Sequence, residues 1–543
     1  MLTLKTYKAE MLSSVMLLLG IVLPYIGLGN EFIGRDEAYQ ALCVADYISS
    51  PVAMMVFYVG NLWTQVFGDD IMALRSLMVI CYQLSIAISC LYLYYRTRHL
   101  LLASTLFLTM CLGFRYVAMS LYGWDSGAYP AMTLFTVTML VYIHRPSRFN
   151  VLLLGLATGL MAVTRIPTLA ALPFILGVIV YKHHGDGVNS VRRIVSDSVI
   201  GLVSFAFSVF ILVALMTSGN INVYIDAWVP DNIINGHFDR EMLIWRWKDV
   251  TRRVVTAFYP MMLCFAAACY MVRVKRYRWL NAVMCVLACA VTSFFFLKTY
   301  RLHYEYAAGI YESFFLLILF TPWLYNMTHS VSVRVPILPL FVITGCALLA
   351  GVGSDGFLER PMTVTTIPLL CIFIYDRFKN VMRWFLSFAL ISVAGMYLLM
   401  VVSNARHIEF NYDDKPHLSG IRGGKLDGAV VERFNQIAPV IESLKADGDK
   451  FACIGTDRYE YDYVFNDGVA YNLNHFHYFD REDDIAILKN VTEKYDNILM
   501  ICRTDGAGYT ESEMFLLSNG YCLAQKDFYY KLYRKPMEGH IGE

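Results

Sequence analysis

Charge is scarce in this chain. Only 16% of its 543 residues are charged, 57% are hydrophobic, and the mean hydropathy is +0.48. A water-soluble globular protein could not bury that much apolar surface. The composition therefore excludes a water-soluble globular protein and predicts a polytopic membrane protein. The net charge of +1 offers no excess of positive charge for nucleic acid, so we expect no nucleic-acid partner.

Several familiar motifs are also missing. The sequence has no P-loop, no dinucleotide-binding glycine fingerprint, no GxSxG and no HExxH, which leaves nucleotide hydrolysis and common hydrolase chemistry without support. Ten of the 13 cysteines lie before residue 372 in apolar segments, and the other three are Cys453, Cys502 and Cys522. Their wide spacing favours neither a disulfide framework nor a CxxC metal site.

Long apolar segments are what the sequence does contain. The first, 11–28, is uncharged and long enough to cross a hydrocarbon core, and it lacks the cleavage site of a removable signal peptide. Hydropathy predicts about thirteen transmembrane helices in total. The other candidates are 71–95, 99–114, 128–143, 150–164, 168–181, 198–216, 254–272, 279–297, 309–325, 335–352, 361–375 and 384–403.

Lys and Arg collect in alternate loops, at 5–8, 96–98, 145–148, 182–193, 273–278 and 377–383. The positive-inside rule therefore predicts a cytoplasmic N-terminus in the cell inner (plasma) membrane. Arg165-Ile166-Pro167 interrupts 150–181, and we expect two short helices there because one crossing would move the basic stretch 182–193 outside. An odd number of crossings then places the C-terminus on the non-cytoplasmic side, as a periplasmic or extracytoplasmic segment.

The fold predicted is a polytopic α-helical membrane protein with a small C-terminal soluble α/β domain. Residues 1–403 form the transmembrane domain, and its first outer loop, 30–70, reads as interfacial helices separated by Pro51. Residues 404–543 form the soluble domain. Strands are predicted at 451–455, 497–502 and 529–533, and helices at 429–446 and 509–518.

Arg35-Asp36-Glu37 follows the first apolar segment directly, where ionised groups are costly without a task. A carboxylate near a low-dielectric surface can act as a general base, and Arg35 is a neighbouring cation that keeps Asp36 ionised. Capping of the next helix by Asp36 or Glu37 explains the pattern equally well.

The chain resembles the C-type (GT-C) membrane glycosyltransferases, in particular the protein O-mannosyltransferases and the aminoarabinose transferases. The similar features, in order, are the acidic pair after the first helix, Tyr122-Gly-Trp-Asp125 before a helix, the glycine-rich segment 155–164 ending at Arg165-Ile-Pro167, and Glu359-Arg360-Pro361 before a late helix. The family often has lysine where this chain has Arg165, and a tyrosine often found beside the late arginine is absent. The predicted architecture, with about thirteen helices and a small outer C-terminal domain, is also similar to that of the aminoarabinose transferases.

The resemblance implies an enzyme that transfers a sugar from a polyprenyl-phosphate carrier to a protein, lipid or glycan acceptor on the non-cytoplasmic face. Asp36 and Glu37 would be the catalytic residues. Asp36 is the base we favour, with Glu37 orienting the acceptor or tuning Asp36, and which of the two takes the proton stays open. The substrate-binding candidates are Arg35, Asp125, Arg165, Lys298, Arg301, His303 and Arg360. Membrane lipids are the remaining partners expected.

Structural explanations compete for several of these residues. Asp125 is placed to cap a helix, Arg165 to reach the membrane interface, and the tyrosines of 298–306 to form an interfacial aromatic belt. No cofactor is expected. Two adjacent carboxylates are thin support for a divalent metal, although the wider superfamily includes metal-dependent members.

Two other classes of function remain open. A lipid or glycan transporter (flippase) would use intramembrane charges along a substrate path, although the sequence shows no inverted repeat. In a non-catalytic scaffold that binds envelope glycans, the outer domain alone would account for all binding.

Overall fold

A computed structural model describes most of the chain. The residues it describes are 2–28, 35–45, 47–49, 53–117, 122–123, 126–184, 189–226, 240–300, 304–328, 336–350, 360–405, 428–449, 451–455, 488–489, 491–502 and 510–536. The chain folds into two compact units. The first consists of 1–28, 51–56 and 76–407, and the second of 29–50, 57–75 and 408–543.

Helices make up most of the described residues. In chain order, their bounds are α1 Leu2–Val22, α2 Arg35–Ala45, α3 Met54–Phe67, α4 Ile71–Thr97, α5 Leu100–Val117, α6 Tyr129–His144, α7 Arg148–Thr164, α8 Ala171–His183, α9 Asn189–Met216, α10 Asn222–Asp226, α11 Arg240–Arg273, α12 Arg278–Tyr300, α13 Tyr304–Thr328, α14 Ile337–Ala350, α15 Arg360–Ile374, α16 Lys379–Ala405, α17 Gly428–Ala446 and α18 Thr510–Ser518.

Five of the described helical segments are long and apolar enough to cross a membrane, so the chain is a multipass membrane protein. They are Tyr7–Tyr25, Ile71–Thr97, Ser190–Met216, Arg278–Phe296 and Lys379–Leu399. Further apolar helices are shorter, among them Tyr129–His144 and Arg148–Thr164. The count of about thirteen crossings and the orientation stay predictions.

The predicted interruption at Arg165 is confirmed. Helix α7 ends at Thr164, a 3₁₀ turn spans Ile166–Ala170, and α8 then begins at Ala171. The backbone of Arg165 is extended, with φ −157° and ψ 102°. Because Pro167 has no N–H to donate and disfavours the helical conformation of the residue before it, the α-helix cannot continue.

The glycines of α7 allow this helix to approach α9 closely. A Cβ atom on Gly155 would lie 1.9 Å from Ser204 Oγ and 2.4 Å from the carbonyl oxygen of Gly201. On Gly159, a Cβ atom would lie 2.5 Å from Ser208 Cβ. Small residues four apart are a common device for packing membrane helices, so this part of the glycine-rich segment has a packing role of its own.

The second unit contains a four-stranded sheet in the order β1-β2-β4-β3, with β1 Phe451–Gly455, β2 Asn497–Ile501, β3 Cys522–Lys526 and β4 Tyr530–Arg534. Strands β1 and β2 are parallel, with Cys453 opposite Leu499. The other pairings, β2 with β4 and β4 with β3, are antiparallel. Every residue of β1 and β2 is buried, as expected for strands covered on both faces.

Two apolar clusters cover the faces of this sheet. One joins α17 residues such as Phe434 and Ile441 to alternate strand residues such as Leu499, and it also includes Ile71 from the start of α4. The other includes Leu516 of α18. Residues 29–50 and 57–75, which include most of the first outer loop, therefore belong to the same compact unit as residues 408–543, while a boundary at 403/404 stays a prediction.

Strands β1, β2 and β4 lie within about one residue of the predicted positions. Strand β3 was missed because all five of its residues are exposed, so Cys522–Lys526 has no alternating apolar pattern. The surface position predicted for 30–70 stays a prediction as well. Within that loop, residues 37–44 of α2 are all buried, so this helix is enclosed by protein.

We expect Gly155→Ala to lower the free energy of unfolding by about 1–3 kcal/mol, because the new methyl group meets backbone that cannot rotate away. Gly177→Ala on α8 is the matched control, since a Cβ there has no atom within 4 Å. Thermal unfolding of the purified protein in detergent measures both. Equal melting temperatures for the two variants would contradict the close approach of α7 and α9.

Candidate functional site

The acidic pair lies in the first turn of α2, which begins at Arg35. Carboxylates are stabilised there because the unpaired N–H groups give a helix a partial positive charge at its N-terminus. The side chains of Arg35 and Asp36 lie outside the described residues, whereas Glu37 is described and is 7% exposed. Of the two acidic residues, only Glu37 therefore has side-chain contacts that can be described.

Glu37 forms a bidentate ion pair with Arg75 in the second turn of α4. Arg75 Nε donates to Glu37 Oε1 over 2.7 Å, and Arg75 Nη2 donates to Glu37 Oε2 over 2.8 Å. Arg75 is completely buried. Two parallel charge-assisted bonds fix both the distance and the plane of the carboxylate, so they hold the first turn of α2 against the start of α4.

Polar contacts with α3 complete this arrangement. Trp63 Nε1 donates to the carbonyl oxygen of Ala73 on α4 over 2.9 Å, and Asn61 Nδ2 donates to the carbonyl oxygen of Val44 on α2 over 3.1 Å. The backbone N–H of Ala73 also donates to Asp70 Oδ1, which caps α4. Helix α3 is thus hydrogen-bonded both to α2, which carries Glu37, and to α4, which carries Arg75.

Arg165 lies at the helix break in the first unit and is only 4% exposed. Its carbonyl oxygen accepts the hydroxyl of Thr168 over 2.6 Å, and Tyr224 of α10 donates its hydroxyl to the carbonyl oxygen of Ala162, one turn earlier. The break therefore places a buried guanidinium group beside an ordered polar turn. Anionic groups of a ligand are the chemistry that such a cation favours.

Described residues on either side of Asp125 are held by hydrogen bonds. Gly123 N–H donates to Ser126 Oγ over 2.9 Å, and the buried hydroxyl of Tyr122 donates to the carbonyl oxygen of Val56 over 2.7 Å. Asp125 itself lies outside the described residues. Its role as a cap or as a substrate ligand stays a prediction.

The remaining predicted residues are located only in part. Lys298 lies near the end of α12 and Arg360 is the first residue of α15, but the side chains of both are outside the described residues. Arg301 and His303 fall between α12 and α13, also outside them. No group of three or more metal-ligating side chains occurs in the described part of the chain.

Sequence reasoning missed several buried ionisable residues. Arg75 is the clearest, and Glu312 of α13 is likewise fully buried. Each is an ionisable residue within an otherwise apolar segment. That pattern marks a functional or structural requirement in membrane helices, so a search of the apolar segments for single charges would have found both.

A second missed group joins α6, α8 and α9. The hydroxyl of Tyr142 donates to Asp197 Oδ2 over 2.9 Å, and His183 Nε2 lies 2.9 Å from the same oxygen. All three side chains are buried. Lys182 and Arg145 lie near this group in sequence, within stretches predicted to be cytoplasmic, so we interpret it as a structural connection between these three helices.

Comparison with known proteins gives distant similarities. No protein-family model and no curated protein matches the chain. The solved structure of ArnT from Cupriavidus metallidurans bound to undecaprenyl phosphate is similar, with a TM-score of 0.48, 14% identity, and 98% of this chain and 99% of that chain covered. For ArnT in the apo state the TM-score is 0.43, at 14% identity and with 97% and 98% covered. ArnT is an aminoarabinose transferase of the GT-C type, the group that the sequence motifs resemble, but a likeness this distant assigns no role to individual residues.

We expect Arg75→Met to lower the free energy of unfolding by about 3–5 kcal/mol, because it leaves the Glu37 carboxylate buried without its counter-ion. The double variant Glu37→Met/Arg75→Met removes both charges, and most of the lost stability should return. Thermal unfolding in detergent measures each protein, with the exposed Arg148→Met as control. A double variant less stable than Arg75→Met would contradict the pairing.

Proposed function

We propose that the protein is an integral membrane glycosyltransferase that moves a sugar from a polyprenyl-phosphate carrier to an acceptor on the non-cytoplasmic face. The observation that carries this proposal is the buried Glu37–Arg75 pair, which fixes the first turn of α2 and with it the backbone of Asp36. The order of motifs shared with the C-type glycosyltransferases supports the same conclusion.

The contact between Glu37 and Arg75 leads us to propose different roles for the adjacent carboxylates Asp36 and Glu37. Glu37 is held by both nitrogens of a guanidinium group, and such a carboxylate is a poor proton acceptor because its charged form is strongly favoured. Successive helix positions lie about 100° apart around the axis, so Asp36 occupies a different side of the helix. We therefore assign the base to Asp36 and a positioning role to Glu37 and Arg75.

The reaction proposed is a single displacement. A hydroxyl or amine of the acceptor forms a bond to the anomeric carbon while the bond from that carbon to the phosphate oxygen breaks. The electron pair of the broken bond leaves with polyprenyl phosphate, and Asp36 takes the acceptor's proton. Attack opposite the leaving group inverts the anomeric configuration.

The departing phosphate needs compensating positive charge, which preorganised cations supply without reorganisation during the reaction. Arg165 is the candidate whose side chain the structure describes, and it is buried at a break between two helices. Arg35, Lys298, Arg301, His303 and Arg360 stay proposed contributors, and Asp125 a proposed sugar or acceptor ligand. No metal is required by this scheme.

A lipid transporter is the second candidate function, because the fully buried carboxylate of Glu312 is the kind of group that marks a substrate path in transporters. Movement of a fluorescent polyprenyl-phosphate sugar across vesicles, without release of polyprenyl phosphate, would favour it. We prefer the transferase because Arg35-Asp36-Glu37 begins a helix outside the apolar spans.

We expect Asp36→Asn to lower turnover about 10²–10⁴-fold, the usual contribution of a positioned general base. The assay uses purified full-length protein with a panel of polyprenyl-phosphate sugars and measures released polyprenyl phosphate and glycosylated acceptor. Asp496→Asn, which removes one exposed carboxylate of the same compact unit, is the matched control. Turnover like that of the unsubstituted protein, at equal folding, would remove Asp36 from the role of base.

We expect Arg165→Gln to weaken donor binding about 10- to 100-fold, the effect of losing a charge-assisted hydrogen bond to phosphate. Arg165→Lys should recover part of the loss, since it keeps the charge but not the planar fork. Arg148→Gln, at the opposite end of α7, should leave donor binding unchanged. Equal donor KM values for Arg165→Gln and the unsubstituted protein would exclude phosphate binding by Arg165.

A further inference from the structure

A basic groove lies where three helices of the membrane part meet. Helix α11 ends at Arg273, α12 begins at Arg278, and α16 begins at Lys379. The groove between them has a volume of about 520 Å³. Its lining consists of Val272, Arg278, Asn380, Arg383, Trp384 and Ser387.

The described lining carries two cations and an amide but no carboxylate. Arg278 and Arg383 supply two guanidinium groups, and Asn380 supplies a side-chain amide. The Ser387 hydroxyl donates to the carbonyl oxygen of Arg383 over 2.8 Å. Guanidinium groups match the geometry of phosphate oxygens in two-bond contacts, so an anion with several oxygens suits this lining.

Neighbouring rings hold the two arginines in place. The guanidinium carbon of Arg278 lies 5.6 Å from the ring centre of Trp384, and that ring stacks on Phe388 at 5.7 Å. Arg383 Nε donates to the hydroxyl of Tyr375 over 3.2 Å. Contact with an aromatic face is compatible with simultaneous hydrogen bonding through the edge of the guanidinium group, so the groove is partly preorganised.

Two helix N-termini add to the positive potential. Arg278 is the first residue of α12, and Asn380 lies in the first turn of α16. Helix N-termini attract anions through their aligned peptide dipoles. Here they reinforce side-chain cations that already line one groove.

An apolar strip on α16 continues from the groove. Ile391 is 38% exposed and Leu398 62% exposed, and the helical spacing of about 100° per residue places both on the face of α16 that carries Ser387. They belong to the segment Lys379–Leu399, which is apolar enough to cross a membrane. Hydrocarbon chains fit such a strip, whereas a free inorganic anion would make no use of it.

We propose that this groove binds the phosphate headgroup of an anionic phospholipid, with its acyl chains along the α16 strip. The neighbouring loops 273–278 and 376–383 carry seven Lys or Arg residues and one acidic residue. On the predicted orientation they face the cytoplasmic leaflet, where basic pockets between helices attract anionic lipids. The site is independent of the proposed transferase chemistry.

The test measures lipid retention by the full-length protein in nanodiscs of phosphatidylcholine with a minor fraction of phosphatidylglycerol. Native mass spectrometry should find phosphatidylglycerol retained on the unsubstituted protein. Arg278→Gln/Arg383→Gln should weaken that retention at least about tenfold. Arg145→Gln/Arg148→Gln removes two exposed cations from another loop predicted to be cytoplasmic, and it should retain lipid normally.

Further variants, and inorganic phosphate as a second ligand, distinguish a phospholipid site from the alternatives. Arg278→Lys/Arg383→Lys should give intermediate retention, because lysine keeps the charge but not the fork. Equal losses in both glutamine pairs, or no loss in either, would overturn the site. Stabilisation of the unsubstituted protein by inorganic phosphate, without selective retention of phosphatidylglycerol, would overturn the lipid as its ligand. The single variants Arg278→Gln and Arg383→Gln provide the same comparison if the double variant unfolds.

Discussion

The ion pair between Glu37 and Arg75 is the constraint on which the proposed site depends. Its partners lie 38 residues apart in sequence and are both buried. Taking two charges out of water is costly, and only close two-bond geometry offsets that cost. The pair therefore restricts α2 to one orientation against α4, and the neighbouring Asp36 acquires a fixed backbone position as a result.

The second compact unit connects this restriction to the C-terminal sheet. Ile71, one turn before Arg75, packs with α17 and the sheet in one apolar cluster. The bond from Trp63 to Ala73 joins α3 to the same turn of α4. The first turns of α4 thus combine an ion pair, a hydrogen bond and apolar packing, and they connect the acidic loop with the residues after 408 inside one compact unit.

Much of this architecture was predictable from local pattern. Apolar length predicted the spanning helices, Pro167 predicted the break after α7, and continuous apolar runs predicted β1 and β2. A search for single charges in apolar segments would have found Arg75, but its pairing with Glu37 was not predictable because the two residues lie 38 positions apart. Strand β3 was missed for the opposite reason, since its exposed residues leave no periodic pattern. Of the predicted site, the fold positions Glu37 and Arg165 with described side chains, while the chemistry assigned to both stays a proposal.

The assignment of the base to Asp36 rather than Glu37 is tested most directly in a protein that lacks the ion pair. Turnover of the polyprenyl-phosphate sugar would be measured for Glu37→Met/Arg75→Met, with and without Asp36→Asn. We predict that the pair-free protein loses no more than about tenfold in turnover, because the bonds of Asn61 and Trp63 still connect α2 and α4 through α3. Asp36→Asn should then lower turnover by a further 10²–10⁴-fold, roughly the contribution of a general base. A folded pair-free protein as inactive as Asp36→Asn, or one indifferent to Asp36→Asn, would contradict this assignment.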